Sequence, residues 1–101
     1  MTQISISKKS NRYKVAIDGH AGFARRGEDI VCAAVSMLYY ALLGTVENDR
    51  AVSFIKSTHE NGFATLSFIG GVNSPGAFEM AKEGFMQLTR TYPKFVSLIE
   101  E

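Results

Sequence analysis

The run from Ile30 to about Glu47 limits most strongly how this chain can fold, because its apolar side chains leave no polar face. Ile30, Val31, Val35, Met37, Leu38, Tyr39, Tyr40, Leu42 and Leu43 fall on nearly every side of a helix. A helix that is apolar all round is buried on more than one side. A chain of 101 residues is read as a single domain over 1–101 with one modest core. The helix therefore predicts a sheet against one side and a partner subunit against another. Ser36 and Gly44 interrupt the run, and it is too short to read as a membrane span.

The flanking sequence predicts what the helix packs on. Ile4 and Ile6 alternate with Gln3, Ser5 and Ser7; Tyr13, Val15 and Ile17 alternate with Lys14, Ala16 and Asp18. Period-two alternation gives strands with one buried face, and the polar stretch Lys8 to Arg12 joins them as a hairpin. Asn48-Asp49 marks a turn, and Val52, Phe54 and Ile55 open a third strand. Asn61-Gly62 predicts a tight type I′ hairpin turn, which needs positive φ at both central residues. Ala64, Leu66 and Phe68 give the fourth strand, ended by Gly70-Gly71. Ser74 is read as the N-cap of a second helix, with Pro75 at its first position. Phe78, Ala81, Phe85 and Leu88 recur at helical spacing opposite Glu79, Lys82, Glu83, Gln87 and Arg90. Tyr92-Pro93 stops that helix, and Phe95 to Ile99 forms a short last strand. The order is ββαββαβ. It predicts an α+β fold, a mostly antiparallel sheet with two helices packed on one face.

Charge and cysteine usage narrow the function classes. A formal net charge of +1 gives no electrostatic reason to expect direct nucleic-acid or membrane-surface binding. The opening residues lack the basic start and apolar stretch of a signal peptide. One cysteine makes neither an internal disulfide nor a cysteine zinc cluster, so a reducing cytoplasm is expected, with no metal and no cofactor.

That single cysteine is Cys32, near the start of the apolar helix, and one of only two histidines, His20, lies at the end of the second strand. Between them runs a loop loosened by Gly22 and Gly27 and kept wet by Arg25-Arg26. Asp29 is placed to cap the helix, since its carboxylate can accept from the free amides of the first turn. Those amides and the positive end of the helix dipole favour an anion at Cys32, and the thiolate is the reactive form of cysteine. An imidazole brought beside it would complete a nucleophile and base. The helix-start amides could also serve a developing oxyanion. Ser36, one turn further on, could bond the thiol or the Cys32 carbonyl. The same residues also suit plainer roles. A lone cysteine on an alanine-rich helix is commonly a small buried hydrophobe, a strand-end histidine a surface residue, and Asp29 a cap and nothing more. His59, beside the hairpin turn, reads as exposed, and Tyr39-Tyr40 as core or interface.

The order Gly19-His20-Ala21, Gly27, Asp29-Ile30-Val31-Cys32-Ala33 and Ser36 resembles the ribosomal-processing cysteine protease family, Prp, most closely from Val15 to Gly44. The resemblance implies a homodimeric cysteine endopeptidase with Cys32 as nucleophile and His20 as general base. Asp29, Ser36 and Gly19 match family positions and support the pair. The loop with Gly22, Phe23 and Gly27 would order over the substrate. The implied substrate is a large-subunit ribosomal protein that loses a short N-terminal extension. Two other classes remain compatible with the residues alone: a non-catalytic dimeric binding module, and a redox-sensing thiol protein.

Overall fold

The computed structural model describes residues 1–101. Strands β1 (Thr2–Lys9) and β2 (Arg12–Asp18) form the first hairpin, followed by helix α1 (Ile30–Glu47). Strands β3 (Phe54–Glu60) and β4 (Phe63–Ile69) form the second, followed by helix α2 (Ser74–Thr91) and strand β5 (Val96–Glu100). The five strands make one sheet in the order β3-β4-β2-β1-β5. All neighbours are antiparallel except β1 and β5, which run parallel. The expected ββαββαβ order and mostly antiparallel sheet are both present.

Alternation decides which face of the sheet is covered. Thr2, Ile4 and Ile6 of β1, Tyr13, Val15 and Ile17 of β2, and Ala64, Leu66 and Phe68 of β4 all point inward and are buried. Val31, Val35, Tyr39, Leu42 and Val46 of α1, with Phe78, Ala81 and Phe85 of α2, complete a single apolar cluster on that face. Tyr13 stacks on Phe68 at 4.8 Å between ring centroids and meets Phe78 edge-on at 5.0 Å. The helices pack where Gly84 faces Leu38; a Cβ at Gly84 would stand 2.6 Å from a Leu38 methyl. By length and composition α1 would suffice to cross a membrane, yet here it is the core helix, with one stripe buried against the sheet. The opposite stripe, Ile30, Ala33, Met37 and Ala41, is exposed.

Two local expectations change. At the second hairpin only Gly62 takes positive φ (79°), while Asn61 does not, so the turn is not type I′. The Gly62 carbonyl accepts from the Gly19 N–H at 2.7 Å, so this turn is tied to the end of β2 instead of closing freely on itself. At the start of α2, Asn73 occupies the cap position without a side-chain bond. Ser74 is already helical and buried, and its hydroxyl accepts from the Gly71 N–H at 2.8 Å. The competing partner is the Gly71–Ser74 turn, which takes the hydroxyl away from the helix amides. Strand β3 is the other departure in degree: an edge strand, it is exposed along its whole length, Phe54 and Ile55 included.

Candidate active site

The site is assembled from four chain segments at one end of the sheet. The end of β2 supplies Gly19 and His20, the first three turns of α1 supply Cys32, Ser36 and Tyr40, the β3–β4 turn supplies His59 to Phe63, and the chain start supplies Thr2. Together they line a cavity of about 240 Å³. Gly19, His20, Cys32 and Ser36 are thus brought to one place. Asp29 and the loop residues Gly22, Phe23 and Gly27 do not line it.

Asp29 stands outside the cavity lining and bonds both the loop before it and the start of α1. Its Oδ1 accepts from the Val31 and Cys32 N–H groups at 3.0 and 2.9 Å, capping α1. Its Oδ2 accepts from the Phe23 and Ala24 N–H groups at 3.0 and 3.3 Å, pinning the loop. Burial alone would raise the carboxyl pKa; the backbone bonds from Cys32, Ala24 and Phe23, aided by the Cys32 side chain, outweigh it and hold the group below its ordinary value near 3.8. One consequence corrects the sequence-based expectation of an oxyanion site. The Val31 and Cys32 amides are consumed by the cap, and the Ala33 N–H donates to the Asp29 carbonyl at 3.1 Å. The Val31, Cys32 and Ala33 amides are therefore not free for a reacting carbonyl.

Cys32 is half-buried, packed against the core rather than within it. Its Sγ accepts one hydrogen bond, from the Ala21 N–H at 3.3 Å. That donor comes from the residue after His20, so one short segment carries both the imidazole and the amide aimed at the sulfur. Ser36 bonds neither the thiol nor the Cys32 carbonyl; it is exposed at the cavity and its hydroxyl has no partner within the protein. Asn61 likewise contributes a free amide side chain to the lining.

Gly19 earns its place through geometry. Its φ is +89°, and a Cβ there would stand 2.6 Å from the Met1 carbonyl oxygen. Gly22 and Gly27 also take positive φ, with open space around them. Phe23 anchors the loop at the far side, meeting Tyr92 and Phe95 edge-on at 5.5 and 5.3 Å. An exposed Arg25–Glu28 ion pair at 3.0 Å crosses the loop tip.

Two residues at the cavity were not singled out for it by sequence. Tyr40 Oη and His59 Nε2 lie 3.0 Å apart, with rings 5.4 Å between centroids, and both line the cavity. A usable signal existed on the helix, since Cys32, Ser36 and Tyr40 follow one another at intervals of four residues. Nothing local marked His59, which arrives through strand pairing. Tyr39 is core, as read; its hydroxyl donates to the Thr65 and Thr58 carbonyls at 2.8 and 3.2 Å. No group of three or more His, Cys, Asp or Glu side chains gathers as a metal site.

The family profile described as cysteine protease Prp matches residues 1–97. The chain belongs to the Prp cysteine protease family. A curated member, the ribosomal processing cysteine protease Prp of Mycoplasma genitalium, is 30% identical over all of this chain and 97% of its own length. The Prp of Mycoplasma pneumoniae is 44% identical over 39 residues, 39% of each chain. Among solved structures, Staphylococcus aureus Prp with a covalently linked product peptide superposes with a TM-score of 0.87 over 100% of both chains, at 17% identity. A Streptococcus mutans protein superposes with a TM-score of 0.74 at 26% identity, covering 99% of this chain and 93% of its own. The Prp fold thus spans the whole chain, beyond the Val15–Gly44 segment that carries the motif, and the protein is a cysteine protease.

Proposed function

We propose that this Prp-family protease removes a short N-terminal extension from a large-subunit ribosomal protein, with Cys32 as nucleophile and His20 as general base. The supporting observation is that His20 and Cys32 line one cavity while the amide next to His20 donates to the Cys32 sulfur. In this reading His20 takes the thiol proton and Sγ attacks the scissile carbonyl, forming a carbon–sulfur bond. The tetrahedral intermediate collapses, the carbon–nitrogen bond breaks, and His20 returns the proton to the leaving amine. Water, deprotonated by His20, then attacks the thioester and regenerates the thiol. The Ala21 N–H stabilises charge on sulfur. With the Val31, Cys32 and Ala33 amides occupied by Asp29, the Ser36 hydroxyl and the Asn61 side chain are free donors that line the cavity and can serve the oxyanion.

Asp29, Gly19 and the loop carrying Gly22, Phe23 and Gly27 complete the reading: a cap and pin, a glycine that lets the chain turn at Met1, and a flap over bound substrate. A substrate peptide is named for a second Staphylococcus aureus Prp structure (TM-score 0.82, 15% identity), and the same class of ligand is proposed here. The enzyme is read as a cytoplasmic homodimer joined through the exposed apolar stripe Ile30, Ala33, Met37 and Ala41. The deciding experiment incubates the protein with a peptide spanning the extension junction of its own ribosomal partner, beside Cys32→Ala, and reads products by mass spectrometry. Cleavage at one bond by the parent alone is expected. Cleavage by Cys32→Ala removes Cys32 as nucleophile; no cleavage by either removes the proposed substrate.

A further inference from the structure

No carboxylate or amide side chain bonds the His20 ring, so the usual third member that orients a catalytic imidazole has no counterpart here. The ring is exposed, and what the structure fixes is the backbone that carries it. The surroundings of the preceding peptide show how it is fixed. Thr2 is one of two buried polar residues, 2% exposed, at the first position of β1. Its hydroxyl donates to the Gly19 carbonyl at 3.1 Å, and its N–H donates to the Phe95 carbonyl at 2.9 Å. From the other side, the Gly19 N–H donates to Gly62 at 2.7 Å. The His20 ring then lies over Gly62, with Nε2 3.1 Å from where a Cβ would stand. Gly19 is thus held at both its N–H and its C=O, and the imidazole rests on a glycine floor.

We infer that Thr2 is a positioning residue for His20, acting through the Gly19 carbonyl, and that this clamp sets where the backbone presents the imidazole to the cavity. The inference rests on His20 being the general base. A buried hydroxyl could serve only to satisfy a carbonyl in the core, as the other buried polar residue, Ser74, does for the Gly71 amide. The geometry separates the two roles. Ser74 lies at the start of α2, outside the cavity lining, whereas Thr2 lines the cavity and bonds the residue directly before His20.

The test compares Thr2→Val, which keeps the shape and removes the donor, with Thr2→Ser, which keeps the donor. Ser74→Ala is the stability control, and His20→Ala tests the underlying reading. Steady-state cleavage of the junction peptide and thermal unfolding are measured for each. Thr2→Val is expected to lower kcat roughly tenfold to a hundredfold with KM little changed, the range that small misplacement of a reacting group costs. Thr2→Ser is expected to restore kcat, and Ser74→Ala to lose thermal stability while keeping it. A full-strength His20→Ala overturns the general-base reading and the clamp with it. An inactive His20→Ala beside a Thr2→Val of parental kcat leaves the base in place and overturns the clamp. Loss of kcat in Ser74→Ala that matches Thr2→Val would also overturn it, since the effect would then follow stability alone.

Discussion

Asp29→Asn separates two jobs that one carboxylate performs, because each of its oxygens serves a different segment. Oδ1 accepts from Val31 and Cys32; Oδ2 accepts from Phe23 and Ala24. Asparagine is as good an N-cap as aspartate, so its carbonyl oxygen can keep the helix bonds. Its NH₂ group would then face two N–H donors and repel them. Asp29→Ala loses both sets. Removal of a cap costs about 1 kcal/mol. The two loop bonds are exposed to water and add less, of order 1 kcal/mol together after solvent competition. Asp29→Ala should therefore destabilise by about 2 kcal/mol, lowering Tm by about 10 °C for a domain of this size, and Asp29→Asn by about half as much. Amide hydrogen exchange is the discriminating assay. In Asp29→Asn the Phe23 and Ala24 amides should lose protection while Val31 and Cys32 keep theirs; in Asp29→Ala all four should lose it. The pH dependence has a definite sign. A carboxyl held below its ordinary value contributes stability that is whole above the unfolded pKa and lost as pH falls below about 3.8. That acid loss should disappear in Asp29→Asn. Equal exposure of all four amides in the two variants would refute the division between oxygens.

The remaining expectations use the same geometry. Gly19→Ala combines positive φ with a 2.6 Å approach to the Met1 carbonyl, a backbone atom that cannot step aside, and should cost about 3 kcal/mol by urea unfolding. Gly76→Ala, in the exposed first turn of α2 with nothing near a new Cβ, should instead stabilise by about 0.5 kcal/mol in the same assay. Tyr39→Phe should cost about 1 kcal/mol and speed hydrogen exchange at the β3–β4 turn, since the Thr58 and Thr65 carbonyls lose their shared donor. Met37→Asp, on the exposed α1 stripe, should abolish the proposed dimer in sedimentation velocity while leaving the monomer's fold intact.

Legibility in the sequence followed the range of the interaction. The strands of the covered face were readable because burial on a sheet imposes period two, and β1, β2 and β4 obey it residue by residue. The start of α1 was readable because the cap bonds run only two and three residues from Asp29. The family motif was readable because His20, Asp29, Cys32 and Ser36 lie within one loop and one helix turn of each other in the chain. The start of α2 was not, because Ser74 had two possible partners of similar worth and the turn at Gly71 won. The shape of the Asn61-Gly62 turn was not, because its Gly62 carbonyl is bonded to Gly19, just past the end of β2. Tyr40 follows Cys32 and Ser36 at intervals of four on α1, whereas His59 reaches the cavity through the pairing of β3 with β4, a contact with no local signature.

Local pattern specifies the elements, their order, the covered face of the sheet and the segment carrying the histidine and the thiol, since each depends on neighbours within a few residues. Tertiary structure alone decided what surrounds that pair. It spent the helix-start amides on Asp29, set the Ala21 N–H on the sulfur, and held Gly19 between Thr2 and Gly62. Those outcomes turn on which of several equivalent donors and acceptors meet when distant strands pair, and only the packed chain fixes that choice.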